Sequence, residues 1–180
     1  MYKQLDPNFA YRVFTGGPLI TIFTKNEKGI PDGMTAAWSC PYDPDVLLLV
    51  LDKDHTTSEN IRHNGKLVVA IPSADQKDIA LTLGSVHGRD VGNKLQIKRI
   101  DTELSKSFEY PVIKDALAYF ECVCEDAALF AEKGICLAKV KNVYVKEEMW
   151  DDANEHFVPG CTHTLQHVSA GNFKTGGKVI

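Results

Sequence analysis

The chain has 180 residues, 44% of them hydrophobic and 24% charged, with a formal net charge of −4 at pH 7. That length suits one domain with a substantial core, 1–180. The acidic balance excludes a general binder of nucleic acid or of anionic membrane surfaces, since both present phosphate.

In chain order, a polar lead-in over residues 1–8 precedes a short strand or helical turn at 9–14. Gly16-Gly17-Pro18 is punctuation. Residues 19–24 alternate as a strand, and Asn26 to Gly29 is a hairpin-type turn. The return strand, 30–39, is expected to be interrupted by Pro31 and by an Asp32-Gly33 turn pair, with Gly33 allowing a ligand close to the backbone. Pro41 to Pro44 is a turn, and V-L-L-L-V-L at 46–51 is a buried strand. Asp52 to His55 is a charged loop. Thr56 opens a helix, with Glu59 three residues later completing a capping-box pattern, and Asn64-Gly65 closes it.

A second buried strand follows at 66–71, then a short helix at 75–83 that stops at Gly84. Residues 85–92 read as a polar connector. Long strand-like runs cover 117–124 and 134–149. In the second, Cys136, Ala138, Val140, Asn142 and Tyr144 share a face. Residues 148–156 are acidic and exposed, as a turn or short helix, and the Gly- and Lys-rich stretch from Lys174 is a loose tail (174–180).

The five cysteines, Cys40, Cys122, Cys124, Cys136 and Cys161, have an odd count and scattered spacing that do not make a disulfide framework. Cys122 and Cys124 fall on one face of a strand, as buried thiols rather than a metal clamp. His163 and His167 stand four apart with Cys161 and His156 nearby, but the flanking residues read as loop and strand, and no metal is assigned. No apolar run approaches membrane-spanning length and no basic-then-apolar leader opens the sequence, so the expectation is a cytoplasmic protein without a membrane partner. There is no Rossmann G-x-G-x-x-G, no P-loop and no G-x-S-x-G elbow. Many short strands, few helices and frequent turns describe a mainly β chain, a closed or nearly closed antiparallel barrel.

Helix starts expose unpaired amides at the positive end of the dipole and attract phosphate. The start at Thr56 adds donors from Thr56, Thr57, Ser58 and Asn60, with Lys53 adjacent. The reading as an ordinary capped surface helix stands beside it.

M-T-A-A-W-S-C-P from Met34, the apolar strand at 46–51, and T-S-E-N-I from Thr57 resemble the flavin reductase-like family of FMN-binding split barrels. The likeness extends through Pro111 to Cys122 and Gly134 to Val140. Where that family has an Asp-Lys-Phe-like triplet, this chain has Asn93-Lys94-Leu95. A closing segment matches at His167 and Phe173, with its glycine displaced to Gly171.

The resemblance implies an antiparallel Greek-key split β-barrel with peripheral helices and a catalytic centre in which the flavin carries the chemistry and no side chain is the catalyst. It implies FMN as cofactor, NADH or NADPH as small-molecule reductant delivering hydride to flavin N5, and a homodimer with the flavin near the interface. Thr35, Ala36, Ala37, Trp38 and Ser39 are expected to line the flavin, with Trp38 packing near the ring or ribityl chain, or else serving as core. Lys53, Thr56, Thr57, Ser58 and Asn60 hold the phosphate. Ser85 and His87 lie on the partner loop, and His167 and Phe173 close over the ring. The alternatives are a flavoredoxin-like electron carrier with a protein redox partner, and a non-enzymatic split barrel for another small ligand, such as haem or pyridoxal phosphate.

Overall fold

The computed structural model describes residues 18–160, 163–169 and 172–176. The possible strand at 9–14, Cys161 and Gly171 lie outside them.

Seven antiparallel strands form the main sheet. In chain order they are β1 (Ile20–Lys25), β2 (Pro31–Ala36), β3 (Ser39–Asp43), β4 (Val46–Val50), β5 (Lys66–Ile71), and β8 (Ala118–Cys124) with β9 (Ile135–Val145). Their spatial order is β2-β1-β5-β8-β9-β4-β3. The two outermost strands, β2 and β3, are consecutive in the chain and separated only by Ala37 and Trp38. Two residues span at most about 10 Å, so the sheet must curl until its edges meet. Met34 of β2 and Leu49 of β4 accordingly share one core cluster with Ile20, Ile22, Leu67, Val69, Cys122, Cys136 and Ala138. This is the mainly β, nearly closed antiparallel barrel expected from the strand list, and the split barrel that the resemblance implies.

Alternation divides the strands cleanly. Ile20 and Ile22, Leu67 and Val69 face the barrel interior, while Phe23, Val68 and Ala70 face an outer layer containing Leu83, Leu95, Tyr110, Val112 and Ile113. The interior is closed by two helices. Helix α1 (Thr56–Asn64) contributes Ile61, and α5 (Ala127–Lys133) contributes Phe130. Gly134 ends α5 at φ 71°, and a Cβ there would collide with the Leu51 carbonyl, so this turn needs glycine for both reasons. The outer layer also holds α2 (Lys77–Leu83), entered through a 3₁₀ turn at Ala74–Gln76, the one-turn helices α3 (Gly88–Val91) and α4 (Lys94–Ile97), and the ribbon of β6 (Thr102–Leu104) and β7 (Pro111–Ile113).

Several sequence expectations change. Pro31, Asp32 and Gly33 do not break the return strand: β2 runs through them, paired with Lys25, Thr24 and Phe23. The space beside Gly33 is filled by the Phe23 ring, 2.7 Å from where a Cβ would sit, so it admits no ligand. Pro41 lies within β3, and the turn comes at its end, next to a register shift between Pro41 and Asp43. The connector after Gly84 is not only loop, since it contains α3. Residues 150–157 form the small hairpin of β10 (Trp150–Asp151) and β11 (His156–Phe157), with Trp150 packed edge-on against Phe157. Lys174 and Thr175, expected in a loose tail, pair with Gln166 and Leu165 in the hairpin of β12 (Leu165–Ser169) and β13 (Asn172–Thr175).

Cys122 is fully buried, as its place on the strand face required, and burial pushes its thiol up to about 12. Glu121, beside it, is also fully buried. Its carboxylate accepts the amides of Ser107 and Phe108 and the Asn142 side chain, each at 2.8 Å, which fastens the 105–110 loop to β8.

A candidate anion cleft at the start of helix α1

A cleft of about 130 Å³ opens where β2, the start of α1 and the 83–94 segment converge, lined by Asp32, Met34, Thr35, His55–Thr57, Leu83–His87 and Lys94. Of the residues expected at the site, it gathers Thr35, Thr56, Thr57, Ser85 and His87. Thr35 donates to the Ala80 carbonyl at 2.6 Å, and Ser85 to the Thr82 carbonyl at 2.7 Å, so both hydroxyls tie the lining to α2.

The helix start differs from the capping-box reading. His55, not Thr56, is the N-cap, with extended backbone (φ −75°, ψ 144°) and no side-chain cap bond. Thr56 is the first helical residue, and its hydroxyl accepts the Arg89 amide at 3.2 Å. Glu59 turns outward to the Arg89 guanidinium. Apart from Ile61, the buried face of α1 is polar, and each of its hydroxyl or amide groups is satisfied inside the protein. Thr57 donates to Asp32 Oδ2 at 2.9 Å, Ser58 to the Asp52 carbonyl at 2.6 Å, and Asn60 to Thr24 Oγ1 at 2.9 Å. The side chains of Ser58 and Asn60 are thus turned into the fold rather than toward a ligand. What they leave at the cleft is backbone. Among the described residues, the amides of Thr56, Thr57 and Ser58 have no acceptor, whereas the Glu59 amide already bonds the His55 carbonyl at 3.1 Å.

Beneath these amides lies an ion pair that the sequence did not announce. Lys94 Nζ stands 3.3 Å from Asp32 Oδ1, with both side chains at most 5% exposed. It also donates to the carbonyls of Val86 at 2.8 Å and Leu83 at 3.1 Å. Burial pushes the Lys94 ammonium down, and Asp32 opposes that shift. Gly88 packs directly on the Asp32 carboxylate, where any Cβ would clash. By sequence Asp32 reads as a turn residue, although Asn26 to Gly29 already supply the hairpin turn, and the redundancy of a second turn so soon is the available signal.

His55 and His87 flank the cleft with ring centroids 5.1 Å apart. Burial pushes His55 down, with Asp52 opposing and His87, Arg89 and Lys94 adding to the effect. The Asp54 amide holds the Asp52 carboxyl below its usual range.

The remaining expected residues lie elsewhere. Lys53 reaches the Glu132 carbonyl at 3.4 Å, away from the cleft. Trp38 is 58% exposed and so is not core. Ala36, Ala37 and Ser39 follow the β2 edge beyond the cleft lining. Phe173 packs near Ala37 against a small cluster of Leu19, Ala80 and Leu165, and its ring pairs with His167 across β12 and β13 at 5.6 Å.

This curled antiparallel barrel with an amide-lined cleft defines a class, and comparison with known proteins gives the family. Residues 13–160 match the model of the flavin reductase like domain, and the chain belongs to that family. It is 30% identical to the uncharacterized protein YddH of Escherichia coli (strain K12), over 99% of this chain and 97% of that one. It is 28% identical to a probable flavin reductase of Rhizobium meliloti (strain 1021), over 73% of this chain and 40% of that one. Among solved structures, it is similar to an FMN-binding domain of a flavin reductases-like enzyme from Shewanella baltica OS155, with TM-score 0.81 and 24% identity over 98% and 94% of the two chains. The flavoredoxin of Desulfovibrio vulgaris (Miyazaki F) shares the fold at TM-score 0.80 and 17% identity, over 100% and 96%. Among the described residues, no helix is long and apolar enough to cross a membrane.

Proposed function

We propose that this protein binds FMN, with the phosphate at the start of α1, and acts as an NAD(P)H-dependent flavin reductase of the cytoplasm. The observation that carries the reading is the pair of open amides at Thr56 and Thr57 in the lining of a cleft edged by two histidines, with the open Ser58 amide next in the helix. Unfilled N–H groups at a helix start suit a phosphate. Bound FMN supplies the hydride-accepting position at N5, and NADH or NADPH the hydride.

This chain's own residues bind and orient. The amides of residues 56–58 hold the phosphate, and Thr35, Met34 and residues 84–86 border the flavin end. The Asp32–Lys94 pair fixes these walls relative to one another. No side chain of the cleft is assigned a proton or hydride transfer in the flavin's reduction.

The cleft is smaller than the roughly 300–1,000 Å³ that encloses most small ligands. It suits one end of a flavin, which supports a second surface covering the rest. The exposed rings of Trp38 and Tyr42, 58% and 65% accessible beside the β3 edge, fit a face shared by two copies in a homodimer.

The test is a titration of purified protein with FMN and with riboflavin, followed by rapid-mixing reduction of the FMN complex. Tighter binding of FMN, and fast bleaching by NADH or NADPH with turnover on added flavin, is expected. No FMN binding contradicts the reading. Tight FMN that bleaches only with a reduced protein partner favours a flavoredoxin-like carrier instead.

A further inference from the structure

We propose that His55 and His87 form a proton-linked clamp for a dianionic phosphate, taking up protons as FMN binds and so discriminating it from unphosphorylated riboflavin. The inference rests on the reading that the phosphate sits at the start of α1.

The two rings face one another at 5.1 Å, each from the N-cap position of a helix, His55 for α1 and His87 for α3. Both line the cleft that holds the open amides of Thr56 and Thr57. Among the described residues, neither ring makes a hydrogen bond, so their nitrogens remain available as donors once protonated.

The other charged groups around the cleft are already engaged. From β2, Asp32 takes the Thr57 hydroxyl and the Lys94 ammonium. From α4, Lys94 is spent on Asp32 and two carbonyls. From α3, the Arg89 guanidinium is held by Glu59 of α1 and the Asp54 carbonyl. On the loop before α1, Asp52 accepts the Asp54 amide, and Lys53 points to Glu132. Asp90 of α3 is an exposed neighbour. The histidine pair is therefore the part of the cleft whose charge can respond to a ligand.

The sign follows from linkage. Without ligand, burial and the neighbouring cations keep His55 below its ordinary value, so it is neutral at neutral pH. A phosphate beside the pair favours the charged imidazolium form and opposes the lowering of His55. Binding at neutral pH then draws protons from solvent, and FMN affinity falls as pH rises through the raised values. If the clamp moves the pair by one pKa unit in total, affinity falls about tenfold from below the free values to above the raised ones, with about threefold of that between about pH 6.5 and 8.5. The ligand's own second phosphate ionisation lies near pH 6. Any proton it loses on binding cations has the opposite sign, so net uptake belongs to the protein.

Calorimetric titration of the whole protein with FMN, at one pH near about 7.3 in two buffers of different ionisation enthalpy, measures that uptake directly. A few tenths of a proton taken up per FMN, about 0.3, is expected, with none for riboflavin. The double variant His55→Asn, His87→Asn should lose the uptake and bind FMN about threefold more weakly at pH near 6.5, with riboflavin binding unchanged. Asparagine is a favourable N-cap, so both helix starts persist, and retained riboflavin binding verifies the fold. FMN binding without proton uptake, or with equal uptake by the double variant or by riboflavin, overturns the clamp while leaving the FMN reading intact. No FMN binding at all overturns that reading, and the clamp with it.

Discussion

Asp32 and Lys94, 62 positions apart in sequence, meet at 3.3 Å in the interior, and between them they fix three walls of the cleft. Asp32 holds Thr57 at the start of α1, and Lys94 holds the carbonyls at the end of α2 and in the turn beyond it. Removing either partner leaves a buried charge alone, at a cost of about 3–5 kcal/mol. Asp32→Asn and Lys94→Met should each lower the melting temperature by roughly 6–20 °C for a chain of this size. The double variant should cost less than the sum of the singles by about 1–3 kcal/mol. Additive losses in thermal unfolding would mean the two groups do not interact.

Gly88 permits that arrangement. Gly88→Ala places a Cβ on the Asp32 carboxylate, so α3 must retreat, at about 1–3 kcal/mol. Gly92→Ala is the contrasting case: its φ of 78° strains any side chain, yet nothing lies within 4 Å of the new Cβ. Both variants should melt earlier than the parent, but only Gly88→Ala should also weaken FMN binding. Equal effects of the two on affinity would separate Gly88 from the cleft.

Glu121 should make the fold acid-sensitive. Burial raises its carboxyl, but the amides of Phe108 and Ser107, with Ser105 and Asn142, overcome that and hold it below its ordinary value. A depressed folded-state value means stability fully present above the unfolded carboxylate value of about 4.3 and lost as pH falls through the folded value. Glu121→Gln should therefore be less stable than the parent at neutral pH, with the gap narrowing below about pH 4.3. Denaturant unfolding at the two pH values checks this, and a constant gap would contradict it.

The barrel was legible because its signals are local. Alternation at 19–24, continuous apolar runs at 46–51 and 66–71, and glycine stops at Gly65 and Gly84 each specify an element without reference to the rest. The cleft was legible only in part. The position of the helix start could be read, but not the inward bonds of Ser58 and Asn60, since their partners, Asp52 and Thr24, are set by packing. Asp32 was hidden for the same reason: an aspartate next to a glycine reads as a turn until a strand on either side pairs through it. His55 looked like a loop residue, and its role follows from where α3 places His87.

The central claim is that backbone amides at the start of α1 hold a phosphate. Thr56→Pro removes one of those donors where proline is best tolerated, at the first helical position and after a residue already extended. Thr56→Ala, which removes only the hydroxyl, is its control. The measurement is the ratio of FMN to riboflavin affinity for the parent and both variants. Thr56→Pro is expected to lower that ratio about tenfold relative to Thr56→Ala, through loss of one charge-assisted bond. An unchanged ratio in Thr56→Pro, with both flavins still bound, would contradict it.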